Sequence, residues 1–199
     1  IEPDEVTTRY LVDAGVVPSE WRIFESDAEA EYLHVHEFNG DTLEPQVAAP
    51  NSPSNTSDVS DADKVDIDQF YIGACTGAKL SDLKMVASVL KGNKVAPGKR
   101  LTVAPASSRV MADATREGVM QILLDAGANL LPTGCGACAG YGVGVLAENE
   151  VCLASTARNF QGRMGANSSK VYLASPYTVA ASAITGLITD PREILGDKP

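Results

Sequence analysis

The chain has 199 residues, enough for one sizeable domain or one domain with an appendage, and 44% of them are hydrophobic. No run of eighteen uncharged apolar residues occurs, which argues against a spanning helix and for a soluble protein with no membrane partner. The formal charge of −10 is uneven: residues 1–70 hold 17 acids and 3 bases, residues 71–199 hold 9 acids and 13 bases, so an acidic lead-in that argues against nucleic acid precedes a basic remainder suited to a small anion.

The opening IEPDEVTTRYLVDAG has no Met, no basic segment and no apolar segment, and is expected to lie inside a longer or processed polypeptide. Residues 1–50 read as the acidic end of a preceding domain. Within them EYLHVHEF alternates as a strand does, with Tyr32, His34 and His36 on one face and Leu33, Val35 and Glu37 on the other. His34 and His36 are the only 2 histidines; with no nearby Cys or third ligand, they read as surface strand residues rather than metal ligands. NSPSNTSDVSDAD, residues 51–63, offers almost nothing apolar to bury, and a linker is expected over 51–66. Over 67–199 short apolar runs alternate with helical periodicity: FYIGA, LSDLKMVASVLKG, RLTVAPAS, SRVMADATREGVMQILLDAG, VCLAST, KVYLAS and SPYTVAASAITG. That alternation predicts an α/β domain with a largely parallel sheet, its functional loops leaving the C-terminal strand ends. Three such loops stand out: GACTG, PTGCGACAG and STARNFQGRMG.

Three of the 4 cysteines, Cys75, Cys135 and Cys138, sit in these Gly-rich loops, and Cys152 is flanked by strand residues. A lone C-x-x-C is open among a zinc half-site, a dithiol pair, an iron–sulfur half-site and chance. Context narrows the choice. A thioredoxin-type pair belongs at a helix start, a structural zinc site wants four ligands, and a disulfide fits poorly with a chain lacking a secretion signal. Three thiolates would leave a four-iron cluster one protein ligand short, and an iron so exposed can bind hydroxyl and carboxylate oxygens as a Lewis acid. The glycines let the backbone approach the sulfides closely. A hydroxy-carboxylate at such an iron needs cationic partners, and Arg158 and Arg163 supply guanidinium forks that match carboxylates, although two loop arginines taken alone also read as surface residues.

Taken together, YIGACTG, CGACAG, ARNFQGRMG and YLASPYTVAASAITG resemble the aconitase superfamily, most closely its isopropylmalate dehydratase large-subunit branch of plant and cyanobacterial type. IEPDEVTTRYL and DTLEPQVA also match stretches of that branch, so the likeness covers nearly the whole chain. It implies a three-layer α/β domain preceded by an acidic extension. It also implies a [4Fe-4S] cluster held by Cys75, Cys135 and Cys138, with substrate carboxylates bound by Arg158 and Arg163. The implied reaction is dehydration and rehydration of 2-isopropylmalate to 3-isopropylmalate in leucine biosynthesis. The alternatives are another hydro-lyase of the family, acting as an aconitase, homoaconitase or dimethylmalate dehydratase, or a non-catalytic domain of a larger complex. The family places acid–base residues in earlier domains and a serine base in a small subunit with a swivelling domain. Both the N-terminal part of the large subunit and that small subunit are therefore expected partners, and the chain alone is expected to be inactive. The implied compartment is the cytoplasm, or an organelle stroma or matrix, the chloroplast in a plant-like source. The sequence departs from the family pattern twice, with Gly77 where C-T-N is common and Ala157 where an Asn commonly precedes the first Arg.

Overall fold

The structure is a computed structural model that describes residues 3–196, apart from residues 18, 20 and 63. The chain divides into two units, Ile1–Thr42 and Leu43–Pro199. The first contains helix α1, Glu5–Asp13, capped by Asp4, whose carboxylate accepts from the Thr7 N–H at 2.8 Å. That backbone bond, with a second from the Thr7 hydroxyl, holds the Asp4 carboxyl below the usual carboxylate range. The helix buries none of its residues.

The strand expected over EYLHVHEF does not form: residues 31–38 have no regular structure, and Leu33 and Val35 are exposed. An extended segment becomes a strand only when a neighbour takes its N–H and C=O groups, and among the described residues these have none. His34 and His36 are exposed, their ring centroids 6.0 Å apart and tilted.

The second unit is built on a seven-stranded sheet: β1 (Gln46–Ala48), β2 (Thr56–Asp58), β3 (Gln69–Ile72), β4 (Arg100–Val103), β5 (Asn129–Leu130), β6 (Val151–Ala154) and β7 (Lys170–Ala174), in the order β2-β1-β7-β6-β3-β4-β5. Strands β3 to β7 pair in parallel, whereas β1 pairs antiparallel with both β2 and β7. This is the expected α/β domain with a largely parallel sheet.

Its boundary differs from the expected one. Residues 51–66 hold β2 and the buried Val59, so the stretch read as a linker and part of 1–50 belong to the sheet-bearing unit. The polar run forms the turn of the β1–β2 hairpin, with the Ala49 N–H donating to the Asn55 carbonyl at 2.8 Å and Asn51 at φ 76°. Turns and linkers favour the same Ser, Asn, Pro and Asp residues, so composition does not separate them.

One sheet face packs against helices α2 (Leu80–Leu90), α3 (Ser108–Arg116), α4 (Val119–Ala126) and α5 (Pro176–Thr185), joined by α6 (Pro191–Leu195). Phe70, Ile72, Leu101, Val103 and Leu153 point into this core, interleaved with Leu83, Val86, Leu123 and Val179. The long periodic stretch from residue 108 to 126 is two helices because Gly118, at φ 76°, breaks it. The opposite face carries Tyr71, Ala104, Cys152, Ala154 and Val171. It is covered by loop residues Leu131, Ala137, Leu146 and Met164, together with a single 3-10 turn, Gly136–Ala139. The sheet thus lies between a helical layer and a layer of Gly-rich loops. Among the described residues no helix is long and apolar enough to cross a membrane.

Candidate functional site

From β3 the chain steps outward through β4 to β5, then returns to β6 on the other side of β3. The strand order therefore reverses between β3 and β6, which opens a crevice at their C-terminal ends, the usual ligand position in an open α/β sheet. Two of the loops singled out in the sequence leave those ends, GACTG after β3 and STARNFQGRMG after β6, and the third, PTGCGACAG, leaves the C-terminal end of the edge strand β5.

The Cys75 loop is fastened at both ends by one side chain. The Ser155 hydroxyl accepts from the Gly73 N–H at 3.2 Å and donates to the Gly77 carbonyl at 2.9 Å, and the Ser155 N–H donates to the Tyr71 carbonyl at 3.0 Å. Packing there is so close that a Cβ on Gly77 would lie 1.9 Å from the Ser155 carbonyl oxygen. Glycine at position 77 is thus a requirement of this packing. Cys75 itself is exposed.

Cys135 and Cys138 lie at the 3-10 turn, with the Cys138 N–H donating to the Cys135 carbonyl at 3.0 Å. Cys135 is exposed and Cys138 half-buried, whereas Cys152 is fully buried in β6 and burial pushes its thiol well above the usual range. Arg163 braces the turn: its Nε donates to the Cys138 carbonyl at 2.8 Å, and Gly140 lets the chain pass so near that a Cβ there would lie 3.0 Å from the Arg163 carbonyl oxygen. Asn159, buried in the same loop as Arg163, donates from Nδ2 to the Ala49 carbonyl at 2.7 Å, and its backbone carbonyl accepts from the Asn51 N–H at 3.1 Å.

The charges are distributed unequally. Within Leu43–Pro199, Arg100, Arg109, Arg116 and Arg192 each pair with a carboxylate. Arg158 and Arg163 pair with none among the described residues, and exposed Arg158 makes no hydrogen bond with them. A cavity of about 400 Å³ opens beside the turn, lined by Tyr71, Leu131, Cys135, Tyr141 and Val143 among others. Tyr71 is pushed up to about 12, first by burial and then by the Cys138 thiol. Three buried side-chain oxygens lack a hydrogen-bond partner among the described residues, Tyr71 Oη, Thr156 Oγ1 and Asn159 Oδ1, and all lie in β3 or in the loop after β6.

Among the described residues, no three His, Cys, Asp or Glu side chains gather closely enough for a single metal ion. A four-iron cluster takes its thiolates at separate corners and so needs a wider spread. The donor set suits it: three free thiols, none fully buried, on loops at one end of the sheet. A Cβ on Gly134, beside Cys135, would meet nothing within 4 Å, so the loop surface there is open. Cys75, Cys135, Cys138, Arg158 and Arg163 all fall on the loops at the strand ends, and the Arg163–Cys138 contact joins two of them directly. Ser155, Asn159 and Tyr71 carried no signal in the sequence beyond their place in short motifs, because their partners lie far along the chain.

Residues 60–186 match the Aconitase family (aconitate hydratase). The chain is 47% identical over 197 residues to the 3-isopropylmalate dehydratase large subunit 1 of Pyrococcus furiosus, covering 98% of this chain and 46% of that protein. It is 46% identical over 196 residues to the 3-isopropylmalate dehydratase large subunit of a Nitratiruptor species, at 98% and 46% coverage. Against that of a Hydrogenobaculum species it is 42% identical over 197 residues, at 99% and 46%. The chain therefore spans about half the length of these curated relatives, which are archaeal and bacterial proteins. With most of the sheet-bearing unit inside the matched segment, the chain belongs to the aconitase family.

Proposed function

We propose that this chain is the cluster-bearing part of a 3-isopropylmalate dehydratase large subunit, a hydro-lyase component that isomerises 2-isopropylmalate to 3-isopropylmalate by dehydration and rehydration. The names of its relatives support the substrate. The observation that carries the reading is Arg158 and Arg163, which pair with no carboxylate among the described residues, on the loop after β6 at the same sheet end as the two loops that carry three free thiols, with Arg163 reaching the Cys138 carbonyl.

Cys75, Cys135 and Cys138 would hold a [4Fe-4S] cluster, which supplies a Lewis-acidic iron for the hydroxyl and carboxylate oxygens of a 2-hydroxy acid. Arg158 and Arg163 neutralise and orient the substrate carboxylates. Since Arg163 spends its Nε on the Cys138 carbonyl, its terminal nitrogens are the ones left for this task. Ser155 sets the Cys75 loop and keeps its backbone from shifting under load. The three loops contain no Asp, Glu or His, so the base that removes the proton from the neighbouring carbon has to come from outside them. A part corresponding to the rest of the relatives' length and a small subunit with a swivelling domain are the proposed sources.

Anaerobic reconstitution with iron and sulfide tests the ligand set through the visible charge-transfer absorbance. Cys75→Ser, Cys135→Ser and Cys138→Ser should each abolish or strongly reduce it, and Cys152→Ser should retain it in whatever fraction folds. A cluster that survives loss of Cys135 but not loss of Cys152 would sink the assignment.

A further inference from the structure

Tyr71 carries a hydroxyl whose hydrogen has no acceptor among the described residues, while the Cys138 backbone N–H lies near enough to act on its oxygen. Its side chain is fully buried on the loop-covered face of the sheet, in contact with the cluster of residues that includes Ala137 and Cys152. It lines the cavity it shares with Cys135. Its Oη is closed to solvent and lacks a hydrogen-bond partner among the described residues. The ring also lies so near the start of the Cys75 loop that a Cβ on Gly73 would come within 2.9 Å of Oη. The hydroxyl is thus wedged between the root of one cysteine loop and the turn bearing the other two.

Phe would fill this space without stranding a donor, and buried polar atoms are seldom left unmatched. The cavity walls around Tyr71 are chiefly apolar, so ordered water has few partners with which to settle there. The groups beside the hydroxyl belong to the cysteine loops, Gly73 at the root of one and Cys138 in the turn of the other. A neutral thiol accepts weakly, whereas a metal-bound thiolate or a sulfide carries negative charge and accepts well from O–H donors.

We propose that Tyr71 is a positioning residue that donates its hydroxyl hydrogen to sulfur at the Cys135–Cys138 turn when a cluster is held there, fixing the turn and stabilising the added negative charge. This rests on the cluster reading above. The hydroxyl would then be idle in the metal-free chain and engaged in the loaded one.

The test compares Tyr71→Phe with the parent, each as the full chain, before and after anaerobic loading with iron and sulfide. Without metal, the variant should melt at the parent's temperature or slightly above it, because an unmatched donor has been removed. Once loaded, it should release iron to a chelator several-fold faster than the parent. Its midpoint potential should be more negative, because a donor to sulfur favours the more electron-rich state. A variant that melts as the parent does but takes up no cluster is the extreme of the same result. Equal release rates and equal potentials would overturn the proposal, as would a metal-free variant with a clearly lowered melting temperature, which would mean that the hydroxyl serves the fold itself. If the parent takes up no cluster while remaining folded, it is the cluster reading that fails, and this inference goes with it.

Discussion

Ser155 shows how one hydroxyl can govern a loop. It accepts from Gly73 and donates to Gly77, so the backbone on both sides of Cys75 is tied to the end of β6. Removing it strands a buried N–H and a buried carbonyl, and Ser155→Ala is expected to cost about 1–3 kcal/mol of stability. Denaturant titration measures that cost, and the rate at which a thiol reagent labels Cys75 reports the loosened loop. Gly77→Ala should cost at least as much, because the new methyl meets backbone rather than a movable side chain. Parent-like stability together with parent-like labelling in Ser155→Ala would remove Ser155 from the site. The same bonds explain what the sequence did and did not disclose. Cys75, Cys135, Cys138, Arg158 and Arg163 stand out in the sequence because thiols and guanidiniums lie among glycines in three loops, and the structure places those loops at one end of the sheet. Ser155 is one serine among many until the fold brings it to residues 78 and 82 positions away.

At the scale of elements, legibility follows how local the cause is. Strands β3, β4, β6 and β7 and helices α2 and α5 announce themselves by apolar runs and helical periodicity within a few residues. The β1–β2 hairpin does not, because each strand has three residues and is held by partners elsewhere: β7 on one side and Asn159 at the turn. The reverse error occurs at residues 31–38, where an alternating pattern lacks a partner to pair with. Asn159 is the non-local element of this design. Its side-chain Nδ2 donates to the Ala49 carbonyl and its backbone carbonyl accepts from the Asn51 N–H, so the hairpin and the arginine loop hold one another, and only the first bond is lost on substitution. Asn159→Ala should therefore speed amide hydrogen exchange in the hairpin, around residues 46–58, well beyond any change in the β3 and β4 amides. It should also cost about 0.5–1.5 kcal/mol overall, from the lost bond to the half-buried Ala49 carbonyl. Uniform acceleration across the sheet would mean that the side chain serves general stability and not this junction.

In the sheet-bearing unit, Leu43–Pro199, the candidate site lies at one end of the sheet. Loops after β3, β5 and β6 bring thiols and arginines to one end of the sheet, while Tyr141, Val143 and Phe160 in the same loops stay exposed. Two arginines without a carboxylate partner among the described residues, Arg158 and Arg163, and an exposed apolar rim suit a surface that other protein covers, and the chain spans 46% of the length of its Pyrococcus furiosus relative. Chemistry leads to the same expectation. Dehydration of 2-isopropylmalate requires the hydroxyl to leave and a carbon-bound proton to be removed, and proton removal needs a positioned base that these loops do not contain. Exclusion of water likewise needs walls on the open side. The reconstituted chain should therefore take up a cluster yet show no turnover with 2-isopropylmalate, followed through the ultraviolet absorbance of the unsaturated intermediate. Adding the remaining part of a large subunit together with a small subunit should bring turnover that is lost again in Cys75→Ser. In that assembly Arg158→Lys should cost more than retention of the charge suggests, because a lysine ammonium cannot form the paired bonds of a guanidinium to a carboxylate. Cys75-dependent turnover by the chain alone would show that the base lies within these 199 residues and that the site is complete.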